Sequence, residues 1–265
     1  MLAIIKTLFY NKDMKILIVN DDGIQAKGLF KLAETLSTAH AVTVVAPHTQ
    51  KSGFSHTLSF HKTVSYAPYN LGIPVSAYSL TGTPCDCVKF AINVLMKDAL
   101  PDVILCGIND DYNLGTDVVY SATVNAALEG AIHGFPSFAF SIGRKCSDDF
   151  TYPADFIMRN LDALLSLKRN DNICYSLNFP SNNPKKILGV RFATLGMRKF
   201  SDRYELRENS DGSGYLLLGE PIPLDNSPDS DVELIRKGYI TITPVAMQDT
   251  ATSFMQTSAG KKLCV

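Results

Sequence analysis

Lys15-Ile16-Leu17-Ile18-Val19 runs directly into Asn20-Asp21-Asp22-Gly23. A strand buried on both faces of a parallel sheet reads as a continuous Ile/Val/Leu run, and open α/β sheets bind ligands in the crevice beyond their strand C-termini. The stretch therefore predicts a central strand over Lys15 to Val19 with a functional crevice just past it. Two neighbouring carboxylates repel each other unless a cation sits between them. Oxygen ligands of this kind suit Mg2+, Mn2+ or Ca2+ better than zinc. The same residues also fit a polar turn with a helix N-cap, since Asp and Asn favour both. What else reaches the crevice decides between the two.

Working outward, short apolar runs alternate with amphipathic stretches up to about Phe140, the pattern of a doubly wound α/β sheet. Strands are predicted at Lys15 to Val19, Val42 to Ala46, Val103 to Cys106 and Ser137 to Ser141, with a weaker one at Ser76 to Leu80. Helices are predicted at Gly28 to Thr38, Cys85 to Lys97 and Ser121 to His133, each with an apolar stripe at helical spacing that reads as core. The chain divides into an extension over residues 1–13, a catalytic core over 14–141 and a C-terminal part over 142–265. In the last part a helix at Ala154 to Leu167 and a strand at Cys174 to Asn178 precede a region from Phe179 to Pro228 rich in Asn, Ser, Gly and Pro. Hairpin-like pieces lie there near Ile187 to Ala193 and Tyr215 to Leu218. A segment without a continuous apolar pattern is commonly stabilised by a partner, so this half carries the expected oligomer contacts. Tyr239 to Thr243 is read as a strand returning to the sheet edge.

Composition narrows the function classes. A chain of 265 residues can bury a full core, and a formal net charge of −1 offers no basic groove for duplex nucleic acid. The six cysteines, at 85, 87, 106, 146, 174 and 264, lack CxxC pairing and read as reduced thiols of a cytoplasmic protein; no second Cys/His pair completes a zinc site around Cys85 and Cys87. The apolar stretch in residues 1–13 is interrupted by Lys6, too short to span a bilayer, and has no small-residue cleavage pattern, so neither membrane nor export is expected. Met14 is an alternative start.

Two further loops meet the crevice. Pro47 to Gly53 follows the second strand, and Gly107 to Gly115 follows the strand ending at Cys106 and leads through Tyr120 to Ser121-Ala122-Thr123, which open a helix. Free N–H groups and the helix dipole make such an N-terminus an anion site, and the Ser121 and Thr123 hydroxyls add donors. Metal and phosphate then meet in one place. His48 and His56 near the Ser52 loop read as solvated, Gly82-Thr83-Pro84 as a turn with Thr83 capping a helix, and Tyr112 and Tyr120 as either core or a platform for a base.

At this point the chain resembles the SurE family, the survival-protein nucleotidases. The matching stretches are KILIVNDDG (Lys15 to Gly23), VVAPHTQKSG (Val44 to Gly53), GTPCDCV (Gly82 to Val88), PDVILCGINDDYNLGTDVVYSATVNAALEG (Pro101 to Gly130), Asp231 and GYITITP (Gly238 to Pro244). The resemblance implies a Rossmann-like three-layer core and one divalent ion per subunit held by Asp21, Asp22, Ser52 and Asn109. It implies hydrolysis of nucleoside monophosphates at the 5′ ester, with cleavage of the 3′ ester left open, and homodimers or homotetramers exchanging C-terminal segments. In the mechanism expected from it, Asp21 or Asp22 accepts the proton of the attacking water while Asn113, Ser121 and Thr123 bind phosphoryl oxygens.

Two positions depart from the family pattern. Asp111, preceded by Asp110, stands where the family has Gly, and Ala122 stands where it has the Gly of Ser-Gly-Thr. Extra carboxylates would repel phosphate or strain a loop that wants positive φ, so a weakened or silent nucleotide-binding relative is the alternative. A phosphorylation receiver is disfavoured because Gly107 stands where it needs an Asp, and a dinucleotide oxidoreductase because no GxGxxG follows the first strand.

Overall fold

The computed structural model describes residues 14–146, 148–167, 172–209 and 212–247. The expected N-terminal extension, Cys264 and any exchanged segment beyond Met247 lie outside the described residues. In chain order the elements are β1 (Lys15–Val19), α1 (Lys27–Leu36), β2 (Ala41–Pro47), β3 (Tyr66–Pro68), β4 (Ser76–Leu80), α2 (Pro84–Phe90), β5 (Val103–Asn109), α3 (Ala122–Ile132) and β6 (Ser137–Ile142). They continue with α4 (Thr151–Leu165), β7 (Ile173–Phe179), β8 (Gly189–Phe192), β9 (Lys199–Phe200), β10 (Arg203–Asn209), β11 (Gly212–Leu218), β12 (Pro221–Ile222), α5 (Asp231–Arg236) and β13 (Tyr239–Ala246).

Nine strands form one sheet in the order β3-β4-β2-β1-β5-β6-β7-β13-β8. The run from β4 to β7 is parallel throughout, whereas β3 and β13 pair antiparallel with β4 and β7. The apolar run of β1 is fully buried because helices cover both faces. Leu29, Leu32 and Leu36 of α1 and Ile157 and Leu161 of α4 close one face over Ile16, Ile18 and Leu105. Val88 of α2 and Val124, Ala127 and Leu128 of α3 close the other over Leu17, Val19 and Ile104. This is the expected three-layer, doubly wound α/β arrangement. After β1 the chain first builds outward through β2 and β4, then returns to lay β5 on the other side of β1. The order therefore reverses between β1 and β5, where such sheets bind ligands.

Two helices differ in detail from the pattern. Thr83 caps α2 with a reciprocal Thr83–Asp86 capping box and Pro84 in its first turn, as read, but the helix predicted to Lys97 widens into a π-type turn over Ala91–Leu95. In the C-terminal half the piece near Ile187 to Ala193 is not a hairpin: β8 pairs parallel with β13. β13 consequently lies between β7 and β8, and β8 takes the edge that had been expected for Tyr239 to Thr243. Only β10–β11 forms the expected hairpin around Tyr215 to Leu218, apart from the main sheet.

Candidate metal and phosphate site

Asp21 and Asp22 leave the end of β1 in a tight turn. Gly23 takes φ +99°, a conformation that favours glycine, and the Asn20 side-chain amide donates to the Gly23 carbonyl at 2.9 Å. The loop after β2 is stitched to this turn: Ile24 N–H donates to the Pro47 carbonyl at 2.9 Å and Lys51 N–H to the Asp21 carbonyl at 2.6 Å. Gln50 links two of the expected ligands, donating to Ser52 Oγ at 3.1 Å and to Asp22 Oδ1 at 3.4 Å. Asn109 ends β5 beyond a bulge, since the β5–β6 register slips between Cys106 and Asn109. Bulges beside active sites re-aim side chains. Gly107 makes this one possible at φ +133°, because a Cβ there would lie 2.5 Å from the Phe140 carbonyl oxygen. The Asn109 amide donates to the Asp111 carbonyl at 2.7 Å, which leaves its side-chain oxygen for a cation.

The electrostatics fit a hard cation. Burial raises the Asp21 carboxyl above its usual range; the Thr123 hydroxyl, donating to Asp21 Oδ1, offsets part of this, and the charge of Asp110 adds to it. Asp22 is pushed up to about 7 by burial and then by the charges of Asp21 and Asp110. Among the described residues no ion pair engages any of these three carboxylates. Asp110 acts on Asp22 in two opposing ways, its charge raising the carboxyl and its backbone N–H, donating to it, offsetting part of that. Two carboxylates completed by a hydroxyl and an amide oxygen form an oxygen set suited to Mg2+ or Mn2+.

The phosphate side forms at the start of α3. Ser121 is the N-cap, its Oγ accepting from Val124 N–H at 3.1 Å, so its own O–H and the Ala122 N–H remain as donors for an anion, whereas the Thr123 N–H donates to the Asp21 carboxylate. Thr123 sits elsewhere than expected of a phosphate donor, with its hydroxyl bonded to Asp21. Asn113 is clamped from β6 and β7: its side-chain amide donates to Ser141 Oγ at 2.7 Å, its N–H donates to Asn178 Oδ1 at 2.9 Å, and Asn178 donates back to the Asn113 carbonyl at 3.1 Å. Farther along, buried Asp231 accepts from Gly115 N–H at 2.8 Å and Gly196 N–H at 2.9 Å, joining this loop to α5 and the C-terminal half.

Sequence reading missed Gln50, Ser141 and Asn178. The available signal was a polar residue at the end of an apolar run, the cue that pointed to Asp21 and Asn109. His56, read as solvated, is instead half-buried with Nε2 2.6 Å from Glu129 Oε2; Lys89 and His133 reach the other oxygen of that carboxylate, each at 3.1 Å. The departures from the family pattern are accommodated. Asp111 does not take positive φ, and its carboxylate faces Arg144 at 3.3 Å. Ala122 is fully buried beneath the helix start. Tyr112 is packing, its hydroxyl donating to the Pro180 carbonyl at 3.3 Å and its ring against Gly143, whereas Tyr120 is 66% exposed.

Comparison with known proteins agrees with this architecture. The family model for the survival protein SurE matches residues 16–202. The chain is 42% identical over 236 residues to the 5′-nucleotidase SurE of Gloeobacter violaceus, covering 88% of this chain and 89% of that one. It is 39% identical over 234 residues to the 5′-nucleotidase SurE of Alkaliphilus metalliredigens, covering 88% and 92%. The crystal structure of SurE from Aquifex aeolicus superposes with a TM-score of 0.77 at 29% identity, over 92% of this chain and 97% of that one. A turn of paired carboxylates at the sheet's switch point, a helix start beside it and these matches along most of the chain lead to one conclusion: the chain belongs to the SurE survival-protein family.

Proposed function

We propose that the chain is a divalent-metal-dependent phosphomonoesterase that hydrolyses nucleoside 5′-monophosphates, and 3′-monophosphates with them, to nucleoside and phosphate. The observation that carries this is the meeting of an uncompensated carboxylate pair, Asp21 and Asp22, with the N-terminus of α3 through the Thr123–Asp21 hydrogen bond. Relatives named 5′-nucleotidase support the substrate class.

Asp21, Asp22, Ser52 and Asn109 would hold Mg2+ or Mn2+, with Ca2+ as a weaker fit. When bound, such an ion neutralises phosphoryl charge and lowers the pKa of a water ligand. The Thr123 hydrogen bond favours the ionised form of Asp21 against burial, and Gln50 fixes Asp22 and Ser52 relative to one another. Asp21 or Asp22, as the ionised carboxylate, accepts the proton of the attacking water. The Ser121 hydroxyl, the Ala122 N–H and the amide hydrogen of Asn113 that Ser141 does not take bind the remaining phosphoryl oxygens, stabilising charge as the ester bond breaks. A homodimer or homotetramer in the cytoplasm completes the proposal. No helix among the described residues is long and apolar enough to cross a membrane.

The test is phosphate release from nucleoside monophosphates with chelator, then with Mg2+ or Mn2+ restored. Metal-restored turnover that falls on the order of a thousandfold in Asp21→Asn, with the circular dichroism spectrum kept, is the expected result. A folded wild-type chain that releases no phosphate with any metal would instead mark a silent relative, for which the Asp110 charge beside the ligand pair is the structural reason.

A further inference from the structure

We infer that the cleft between the start of α3 and the base of the β10–β11 hairpin is the nucleoside-binding site, with Tyr120 as the platform on which the base stacks. The inference rests on the nucleotidase reading of the neighbouring phosphate site and adds the part of the substrate which that site does not touch.

The cleft has a volume of about 690 Å³ and is lined by Thr116, Asp117, Tyr120, Arg198, Phe200 and Asp202, among others. Pockets for ligands of nucleotide size measure about 300–1,000 Å³. Its position follows from the chain: Tyr120 is the residue before Ser121, the N-cap of α3, so the cleft opens beside the proposed phosphate position. Tyr120 is 66% exposed although it lies in an ordered turn, where its N–H donates to the Asp117 carbonyl at 2.9 Å and its carbonyl accepts from Ser55 N–H at 3.1 Å. The backbone of the platform is therefore fixed from the Ser52 loop while its ring is left open. Tyr112, the other aromatic beside the site, is consumed by packing against Gly143 and Pro180.

The opposite wall is built with equal definition. The Arg198 guanidinium lies over the Phe200 ring at 5.0 Å, pairs with Asp117, and its carbonyl accepts from the Thr116 hydroxyl. These contacts span the cleft from the 115–119 turn to the hairpin base and hold it open at a set width. Stacking on an aromatic face is tolerant of base identity, because every base presents a π-face. The site accordingly selects nucleotides over other phosphate esters without strong preference among the bases, and Asp202 offers a carboxylate to a sugar hydroxyl.

The experiment compares kcat/KM for AMP, UMP and ribose 5-phosphate in wild type, Tyr120→Ala and Tyr120→Phe, together with calorimetric titration of adenosine into the metal-free protein. Ribose 5-phosphate carries the same ester without a base. In Tyr120→Ala the AMP-to-ribose-5-phosphate ratio is expected to fall roughly 5- to 100-fold through KM, with adenosine affinity weakened to match, while Tyr120→Phe keeps both. A parallel loss on all three substrates, or a ratio and adenosine affinity unmoved by Tyr120→Ala, would overturn the assignment. Should the wild type hydrolyse none of them, the nucleotidase reading fails by itself, and the adenosine titration still decides whether Tyr120 binds a nucleoside.

Discussion

The crevice at the β1–β5 switch point and the β10–β11 hairpin are built on opposite terms. In the crevice the bracing polar groups are buried and have named partners: Asn113 with Ser141 and Asn178, Thr123 with Asp21, Asp231 with two backbone amides. The hairpin instead places Leu206 at 85% and Leu217 at 52% exposure in a two-stranded sheet that pairs with no other strand among the described residues. A lone two-stranded hairpin is marginal in water, and exposed apolar area on it marks a contact surface. One region thus gets its definition from within the chain, and in the proposed oligomer the other would acquire it from a second copy. Chemistry needs fixed geometry and sits in the first; assembly tolerates adjustment and falls to the second.

The sharpest way to break the crevice is at Gly28, in the first turn of α1. A Gly-to-Ala change inside a helix ordinarily stabilises by about 1 kcal/mol. Here a Cβ would lie 2.0 Å from the Ile108 carbonyl oxygen, one residue before Asn109. Gly28→Ala is expected to reverse the sign, costing about 3 kcal/mol in urea unfolding and lowering metal affinity with it; a stabilised variant would show that α1 does not brace the bulge.

A smaller effect, roughly 1–3 kcal/mol, is expected at Glu129, which ties the Ser52 loop to α2 and α3 through His56, Lys89 and His133. Burial alone would raise its carboxyl, but hydrogen bonds from His56 and Lys89 outweigh burial and hold it down to about 2, against an ordinary 4.5. A depressed carboxylate contributes stability that is complete above pH 4.5 and is lost as the pH falls toward 2. Unfolding free energies measured across that window should converge for wild type and Glu129→Gln at the acid end and diverge above it. Parallel curves would remove Glu129 from the account.

The smallest effect within the subunit is expected at the hairpin. Leu206→Ser should change unfolding by less than about 0.5 kcal/mol in a monomeric state, while light scattering shows a lower oligomer. An unchanged assembly would move the contact surface elsewhere and weaken the contrast.

These two regions also differ in how far they could be read from the chain. β1 and its paired carboxylates were legible because burial on both faces leaves a continuous apolar run, and the turn that ends it is local. The N-cap at Ser121 and the Thr83–Asp86 box were legible for the same reason: helix ends use contacts three residues apart. What escaped was non-local. β13 inserts between β7 and β8 because its partners lie about 60 and 50 residues upstream, and a pattern of alternating polarity does not choose among sheet neighbours. Thr123 looked like a phosphate donor from its place in the helix start, yet its hydroxyl is claimed by Asp21, 102 residues away. His56 looked solvated because Glu129 is 73 residues downstream.

Asp231 and Asn178 carry one further implication, for synthesis. Both lie far downstream of the catalytic loop they hold, Asn178 bracing Asn113 and Asp231 the backbone of Gly115. A ribosome-bound chain that has released β1 through β6 already owns the strands of the crevice and all four expected metal ligands, but not the two braces of the loop between β5 and α3. On the proposed function, the segments that would hold the ion are complete before the loop that would grip the phosphate receives its last braces.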